Sequence, residues 1–358
     1  MPRTILVACL LLTPMATSAV TPVDALPAWR PGIAGDLAFE GSPFLRHTAY
    51  KTPDKTADQV AASGAYGPLN IGWERRQKDR WLIEEQRYAI DAVIAGISYH
   101  RQDLIDRGER IFDWGFRQEK PDGSFDCPDR FHSMSFFVEA AAHAALLLRA
   151  SDMAPANEAW AAHAAPALGL AVRWMLDPRN AVPGQAHDAP YTHRFYLDAD
   201  AIGETGVLLH DDTMVRASRD YVRRGIARQD ATGFNPEKGG SDTSYHAVGL
   251  LFAATYYTVV ADDALRAAMR PMADRGLAWL AARVRPDGTV DQKGNTRTGF
   301  GQERGPQGNI KTMSYGSAYR AFYYWGMIDS DARFAGLAAR LHDGQQVENA
   351  QRKAAGGV

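Results

Sequence analysis

The chain has 358 residues, of which 46% are hydrophobic and 23% are charged. This composition is typical of a globular protein with enough apolar material for a large core. The formal net charge of −2 provides no basic surface, which disfavours nucleic acid as a partner. Attraction for an acidic ligand would therefore have to come from a local group of cations.

The first residues have the order of regions found in a secretory signal peptide. Arg3 gives a short basic start, an apolar run follows at 5–12, and small residues occupy 16–19. Cleavage after Ala19 fits this pattern, with cleavage after Ala25 as the alternative. The apolar run is too short to span a bilayer, and no other segment is a candidate span. We therefore predict an exported protein, periplasmic or secreted, without a membrane span.

The main body is predicted to be all-α, in one domain over residues 71–345. Before it, residues 26–70 are rich in Pro, Gly and Thr and are interpreted as an extended arm, and residues 346–358 as a flexible tail. Apolar residues at three-to-four spacing predict the helices. These runs lie at 80–97, 103–117, 133–149, 156–175, 211–228, 243–260, 263–284, 315–327 and 331–342.

A repeated unit organises these helices. A helix closing on Arg leads into a turn, a polar loop and a new helix, at 107–148 and 275–300, with variants at 219–257 and 168–204, the last with a long polar loop at 187–204. Such hairpins bury their apolar faces only by stacking. We predict an (α/α) toroid or incomplete barrel of roughly five to seven hairpins, with an open TPR- or HEAT-like solenoid as the alternative. The polar loops share one phase of the repeat, so we expect them on one face.

The polar loops carry side chains suited to an acidic carbohydrate, because aromatic rings stack on sugars while Asn, Arg and Lys bind hydroxyls and carboxylates. Structural roles compete with this interpretation: Asp242 is a natural N-cap, and Asp211 fits the first turn of a helix. No metal-binding, phosphate-binding or nucleophile motif occurs, so we expect no cofactor and no metal site, while a metal as an accessory charge stays open. The candidate substrate-binding residues are Asn70, Trp73, Arg75, His132, Tyr191, Arg194, Lys311 and Tyr315.

The chain resembles the alginate-lyase-like (α/α)-toroid polysaccharide lyases, which cleave polyuronates by β-elimination. The resemblance rests on the export signal, the repeated hairpins, the segment NIGWERR at 70–76 and the helix start SDTSYH at 241–246. It covers residues 65–340. The resemblance implies an acidic, uronate-containing polysaccharide as substrate, and glucuronan-degrading and alginate-degrading lyases are both compatible with it.

The elimination needs a neutralised C6 carboxylate, a base for the weakly acidic C5 proton and an acid for the departing O4 oxygen. In lyases of this kind one tyrosine often serves as base and acid, with its pKa lowered by cations. The resemblance implies Tyr245 for this role, with Tyr191 and Tyr315 as rivals. It implies His246 or His193 as the assisting base. The residues implied to hold the carboxylate are Asn235, Arg194 and Arg297.

Helix geometry limits the Tyr245–His246 pair. Adjacent helical residues point about 100° apart, so only one of the two can face a given substrate atom. If Tyr245 faces the cleft, His246 is expected to orient it or to pack beside the next hairpin.

Two other functions remain open from the sequence. A glycoside hydrolase on the same toroid would need two carboxylates across the scissile bond. A non-catalytic periplasmic protein that binds polysaccharide would use the same aromatic cleft. The candidate carboxylate pairs for the hydrolase are Asp242 with Asp126 and Glu237 with Glu204.

Overall fold

Residues 83–304 and 310–354 are described by the computed structural model, and helices dominate them. This part contains eleven α-helices, two short 3-10 segments and isolated β-bridges but no strand, which confirms the all-α class. The predicted signal peptide and arm, and Asn70, Trp73 and Arg75, lie outside the described residues. The helices are α1 (Ala89–Ser98), α2 (Gln102–Arg117), α3 (Arg130–Ala150), α4 (Ala154–Leu176), α5 (Pro178–Asp188), α6 (Thr192–Leu209), α7 (Asp212–Ala227), α8 (Thr243–Val259), α9 (Asp263–Ala281), α10 (Tyr315–Asp329) and α11 (Ala332–Ala354).

The helices pack as two layers of sequential hairpins. The inner layer consists of α1, α3, α6, α8 and α10, each packed on the next. The outer layer consists of α2, α4, α7, α9 and α11, each packed on the inner helix that precedes it. Each hairpin thus covers its apolar face with its neighbours, as the repeat predicted. A closed ring also requires α10 to pack on α1, and that pair is not among the main helix contacts of the described residues.

The repeated turns fit against the outer layer. In the Pro-Asp-Gly turns, Asp122 accepts the Ser124 N–H at 3.0 Å and Asp287 accepts the Thr289 N–H at 3.0 Å. The glycine of the last turn, Gly288, has φ +80°, and a Cβ there would lie 1.8 Å from the Arg340 carbonyl oxygen in α11. Only glycine satisfies both the backbone conformation and this approach. The glycine of the turn therefore allows the loop to pack closely against the next outer helix.

Helices α5 and α6 replace most of the long polar loop that the sequence pattern indicated at 187–204. Residues 192–208 of α6 are all buried, including His193, Asp198 and Glu204. A helix surrounded on all sides has no solvent-facing stripe, so its sequence lacks the amphipathic period that identifies surface helices. The prediction of a loop there was wrong for that reason.

The last helix also differs from the prediction, because α11 continues to Ala354 where a flexible tail was expected from residue 346. Its final part is tied to the body by Glu348, which accepts hydrogen bonds from the Tyr315 hydroxyl at 2.6 Å and from the Gln292 amide at 3.2 Å. Among the described helices, α3 has the length and hydropathy of a membrane-crossing segment, but 89% of its most apolar window is buried inside the protein.

Candidate functional site

A cavity of about 950 Å³ lies at the N-terminal ends of the inner helices. Its wall includes first-turn residues of α1, α3, α6, α8 and α10, for example Ser133, Arg194 and Ser317. Helix N-termini carry partial positive charge, and those of α3, α6, α8 and α10 lie at this cavity, whose lining also includes six carboxylates. The volume is at the upper end of the range for small-molecule sites.

The polar segments predicted to gather on one face meet at this cavity. Five of the described candidates, from three separate segments, line it together with Tyr245 and Arg297. The shared phase of the loops in the repeat therefore has the consequence that we expected. The five candidates are His132, Tyr191, His193, Arg194 and Lys311.

Tyr245 is half-buried in the first turn of α8 and is surrounded by cations. The Lys311 ammonium donates to its hydroxyl at 3.0 Å, and the Arg297 guanidinium lies 3.4 Å from its ring centre. The His193 ring is 4.9 Å away, centre to centre. A phenolic oxygen in such surroundings can exchange a proton while the cations stabilise negative charge near it.

His193 is held by the buried carboxylate of Glu237. One oxygen of Glu237 accepts the His193 backbone N–H at 3.0 Å and lies 2.9 Å from Nδ1, and the other accepts from Arg297 at 3.1 Å. Burial raises the pKa of Glu237 to about 7, against the lowering effect of these donors. Burial, then Arg297 and Arg194, hold the pKa of His193 well below its usual value. When Glu237 is ionised it only accepts, so Nδ1 carries the proton and Nε2 keeps its lone pair.

Asp242 joins the start of α8 to the loop that carries Arg297. It caps the helix by accepting the Ser244 and Tyr245 N–H groups at 3.1 and 3.0 Å. Its second oxygen accepts the Arg297 and Thr298 N–H groups at 3.0 and 2.7 Å. The predicted N-cap is confirmed, and the same side chain positions Arg297 beside Tyr245.

His246 lies on the opposite side of α8 from the cavity, in agreement with the 100° argument. Its Nδ1 accepts the Asn235 N–H at 3.0 Å, and Nε2 donates to the Gly276 carbonyl at 3.0 Å. Its ring packs edge-on against Trp279. Both nitrogens are used and the side chain is fully buried. The structure thus places His193, and not His246, beside Tyr245.

The burial of His246 predicts a pH-dependent stability. Burial lowers its pKa from 6.5 to about 4. The unfolded chain takes up this proton below pH 6.5 while the folded chain resists it, so falling pH between these values costs up to about 3 kcal/mol of unfolding free energy. We expect His246→Asn, which cannot titrate, to weaken this dependence in urea unfolding measured from pH 7 to pH 4. Equal slopes for the two proteins would contradict the assignment.

Two more predicted residues lie away from the cavity. Tyr315 is buried, and its hydroxyl binds Glu348, so it connects α10 to α11. Asn235 is fully buried beneath α8, and its amide atoms make no hydrogen bond to described residues. Neither side chain lines the cavity as the proposed tyrosine rival or carboxylate ligand would.

The remaining candidates form the wall beside His193. The guanidinium groups of Arg194 and Arg297 lie 4.2 and 4.7 Å from the centre of the Tyr191 ring. Arg194 is ion-paired with Asp188, so its charge is already partly balanced. His132 packs edge-on against Phe136, and its buried Nδ1 has no partner among the described residues. This wall offers stacking surface and a few polar groups.

The carboxylate pairs of the hydrolase alternative are not arranged for that reaction. The Asp126 side chain is 75% exposed and contacts Lys120 at the surface, while Asp242 is buried in its capping role. Glu204 lies 2.9 Å from His143 inside the fold. Neither pair lines the cavity together. The described residues contain no cluster of three or more His, Cys, Asp or Glu suited to a metal ion.

Glu303, which is part of the site, was not identified from the sequence. Glu303 lines the cavity and accepts hydrogen bonds from Arg297, Lys238 and Lys311. These donors outweigh the effect of burial and hold the pKa of Glu303 well below its usual value. No local pattern marks this glutamate, because its partners lie in a different loop or are six and eight residues away on either side of it. Comparisons of the chain with protein-family models, with curated proteins and with solved structures found no match.

Proposed function

We propose that this protein is an exported polysaccharide lyase, which cleaves a uronate-containing polysaccharide by β-elimination within an (α/α) toroid. The observation that carries the proposal is the environment of Tyr245, whose hydroxyl meets Lys311 and whose ring meets Arg297 and His193 at the cavity wall. Proton transfer beside fixed positive charge is what the abstraction of a C5 proton requires.

The cations have a defined part in this reaction. Loss of the C5 proton moves negative charge into the C6 carboxylate, and the barrier falls when fixed positive charge is already in place. Arg297 and Lys311 supply two such charges, and the N-terminal ends of the inner helices add to them. Among the residues first considered for the carboxylate, Arg297 keeps this role because it lies at the Tyr245 ring, whereas Arg194 lies over Tyr191.

The proton transfers are assigned to Tyr245 and His193. The Tyr245 oxygen, in its deprotonated form, takes the C5 proton and gives a proton to the O4 oxygen as the C4–O4 bond breaks, so the phenolate is restored at the end of the cycle. His193 is the assisting base, since Glu237 holds its ring through Nδ1 and leaves Nε2 free to accept a proton. The products are a reducing end and an unsaturated uronate at the new non-reducing end.

The experiment is a screen of the mature protein, from residue 20 onward, on alginate, glucuronan, pectate and hyaluronan. A lyase produces the ultraviolet absorbance of the new C4–C5 double bond in proportion to the reducing ends released. A hydrolase produces reducing ends without that absorbance, and a binding protein produces neither while still retarding the polymer in affinity electrophoresis. Absence of the absorbance on every polyuronate tested would reject the proposal.

A further inference from the structure

Glu303 has the surroundings of a bound ligand. Its carboxylate accepts from Arg297 at 3.0 and 3.1 Å through both oxygens, and from the ammonium groups of Lys238 and Lys311 at 2.6 Å each. Three cations thus converge on one carboxylate. A forked guanidinium contact with added ammonium groups is the arrangement proteins use to bind a free carboxylate.

The position of this carboxylate suits the proposed reaction. Lys311 donates both to Glu303 and to the Tyr245 hydroxyl, so the two acceptors flank the same ammonium group. In a uronate, C5 is bonded directly to the carboxylate carbon. A uronate whose carboxylate took the place of Glu303 would therefore present its C5 carbon near Tyr245. Glu303, Arg297 and Lys311 all line the cavity, so a ligand can reach this place from it.

The Glu303 side chain can leave without disturbing the loop that carries it. Its backbone N–H donates to the Arg297 carbonyl at 2.8 Å, and its carbonyl accepts from the Lys311 N–H at 2.7 Å. These two bonds involve only backbone atoms, so they do not depend on the position of the Glu303 side chain. About a fifth of the side chain, 19%, is exposed, so rotation toward solvent needs no rearrangement of the core.

We infer that Arg297, Lys311 and Lys238 form a carboxylate-binding site that Glu303 occupies in the ligand-free protein, and that a uronate carboxylate binds there by displacing Glu303. The inference rests on the proposed function for the identity of the ligand. Its consequence is a lowered apparent affinity, since a ligand binds only the fraction of molecules in which the site is open.

Binding of sodium D-glucuronate, which has no bond to cleave, tests this site without any need for catalysis. We expect Glu303→Ala and Glu303→Asp to bind glucuronate about 10-fold more tightly or better, since an occupancy of nine-tenths lowers the apparent affinity by that factor. Binding would be followed by titration calorimetry. D-glucose, which lacks the carboxylate, should show no such gain, and Glu303→Ala combined with Lys311→Ala should lose it.

The aspartate variant separates occupancy from charge. Asp keeps the negative charge but is shorter by one methylene group, so it withdraws from the cations while leaving the net charge of the site unchanged. If Glu303→Asp binds glucuronate no better than wild type, the inference fails, because any gain seen in Glu303→Ala then comes from the lost charge alone. If Glu303→Ala binds more weakly, Glu303 supports the cations instead, and the inference also fails. Glu303→Asp decides the matter alone should Glu303→Ala not fold.

A matched control is Glu158→Ala. Glu158 also accepts two hydrogen bonds from an arginine, Arg149, at 2.7 and 3.1 Å, but it does not line the cavity. It should bind glucuronate like wild type. A gain in Glu303→Asp without ultraviolet absorbance from any polyuronate would keep the site and reject the lyase. Cleavage of a polyuronate without tighter glucuronate binding by Glu303→Asp would keep the lyase and reject the site.

Discussion

Tyr245→Phe is expected to lower the rate of polyuronate elimination by about 10²–10⁴-fold, the contribution typical of a positioned acid–base group. The substitution removes the hydroxyl that meets Lys311 and keeps the ring that packs against Arg297 and His193. We therefore expect kcat to fall while KM and the melting temperature change little. The initial rate of ultraviolet absorbance on the substrate found in the screen measures this effect.

Tyr315→Phe is the matched control for that experiment. Tyr315 lies in the first turn of α10 as Tyr245 lies in the first turn of α8, but its hydroxyl donates to Glu348 and does not reach the cavity. Loss of this bond should lower stability by about 1–3 kcal/mol and leave kcat within a few-fold of wild type. If Tyr245→Phe kept near-wild-type kcat, or if Tyr315→Phe lost it, the assignment of the tyrosine would be wrong.

Asp242→Ala is expected to lower the free energy of unfolding by about 3–5 kcal/mol, which places it among the most damaging single substitutions. The carboxylate is fully buried and accepts four backbone N–H groups, two at the start of α8 and two in the loop that carries Arg297. Alanine would leave these donors without their acceptor. Urea unfolding measures the loss.

Asp211→Ala separates this double function from ordinary capping. Asp211 caps α7 by accepting the Thr213 and Met214 N–H groups at 2.8 and 3.2 Å, and it holds no second segment. Its replacement should cost about 1 kcal/mol, the usual value for an N-cap. Similar losses for the two variants would show that the bonds from Asp242 to the loop add nothing to stability.

Short-range patterns were sufficient for much of the fold. Apolar spacing located most of the helices, and the residue before the first turn of α8 was correctly interpreted as its cap. The Pro-Asp-Gly turns indicated the hairpin repeat. Each of these signals depends on residues only a few positions apart, where backbone geometry relates sequence directly to structure.

Apolar spacing did not identify a helix that is buried on all sides, because such a helix has no exposed polar face to contrast with its apolar face. The buried helix α6 was taken for part of a loop because polar and apolar residues alternate without a stripe. His246 and Tyr245 are adjacent and equally suited to proton transfer, and helix geometry predicted that they diverge. It did not predict which one meets the cavity, since that depends on how α8 is rotated against α6 and α9.

The identity of the site was decided by contacts between distant parts of the chain. Lys311 reaches Tyr245 across 66 positions, and Arg297 reaches Glu237 across 60. Such pairs depend on the path of the loop between α9 and α10, which Asp242 holds by its backbone, and no periodicity records that path. The sequence was thus enough for the helical repeat and for the face on which polar groups gather, because both follow from local spacing. Only tertiary packing selects, among several tyrosines, histidines and cations on that face, the few that share hydrogen bonds.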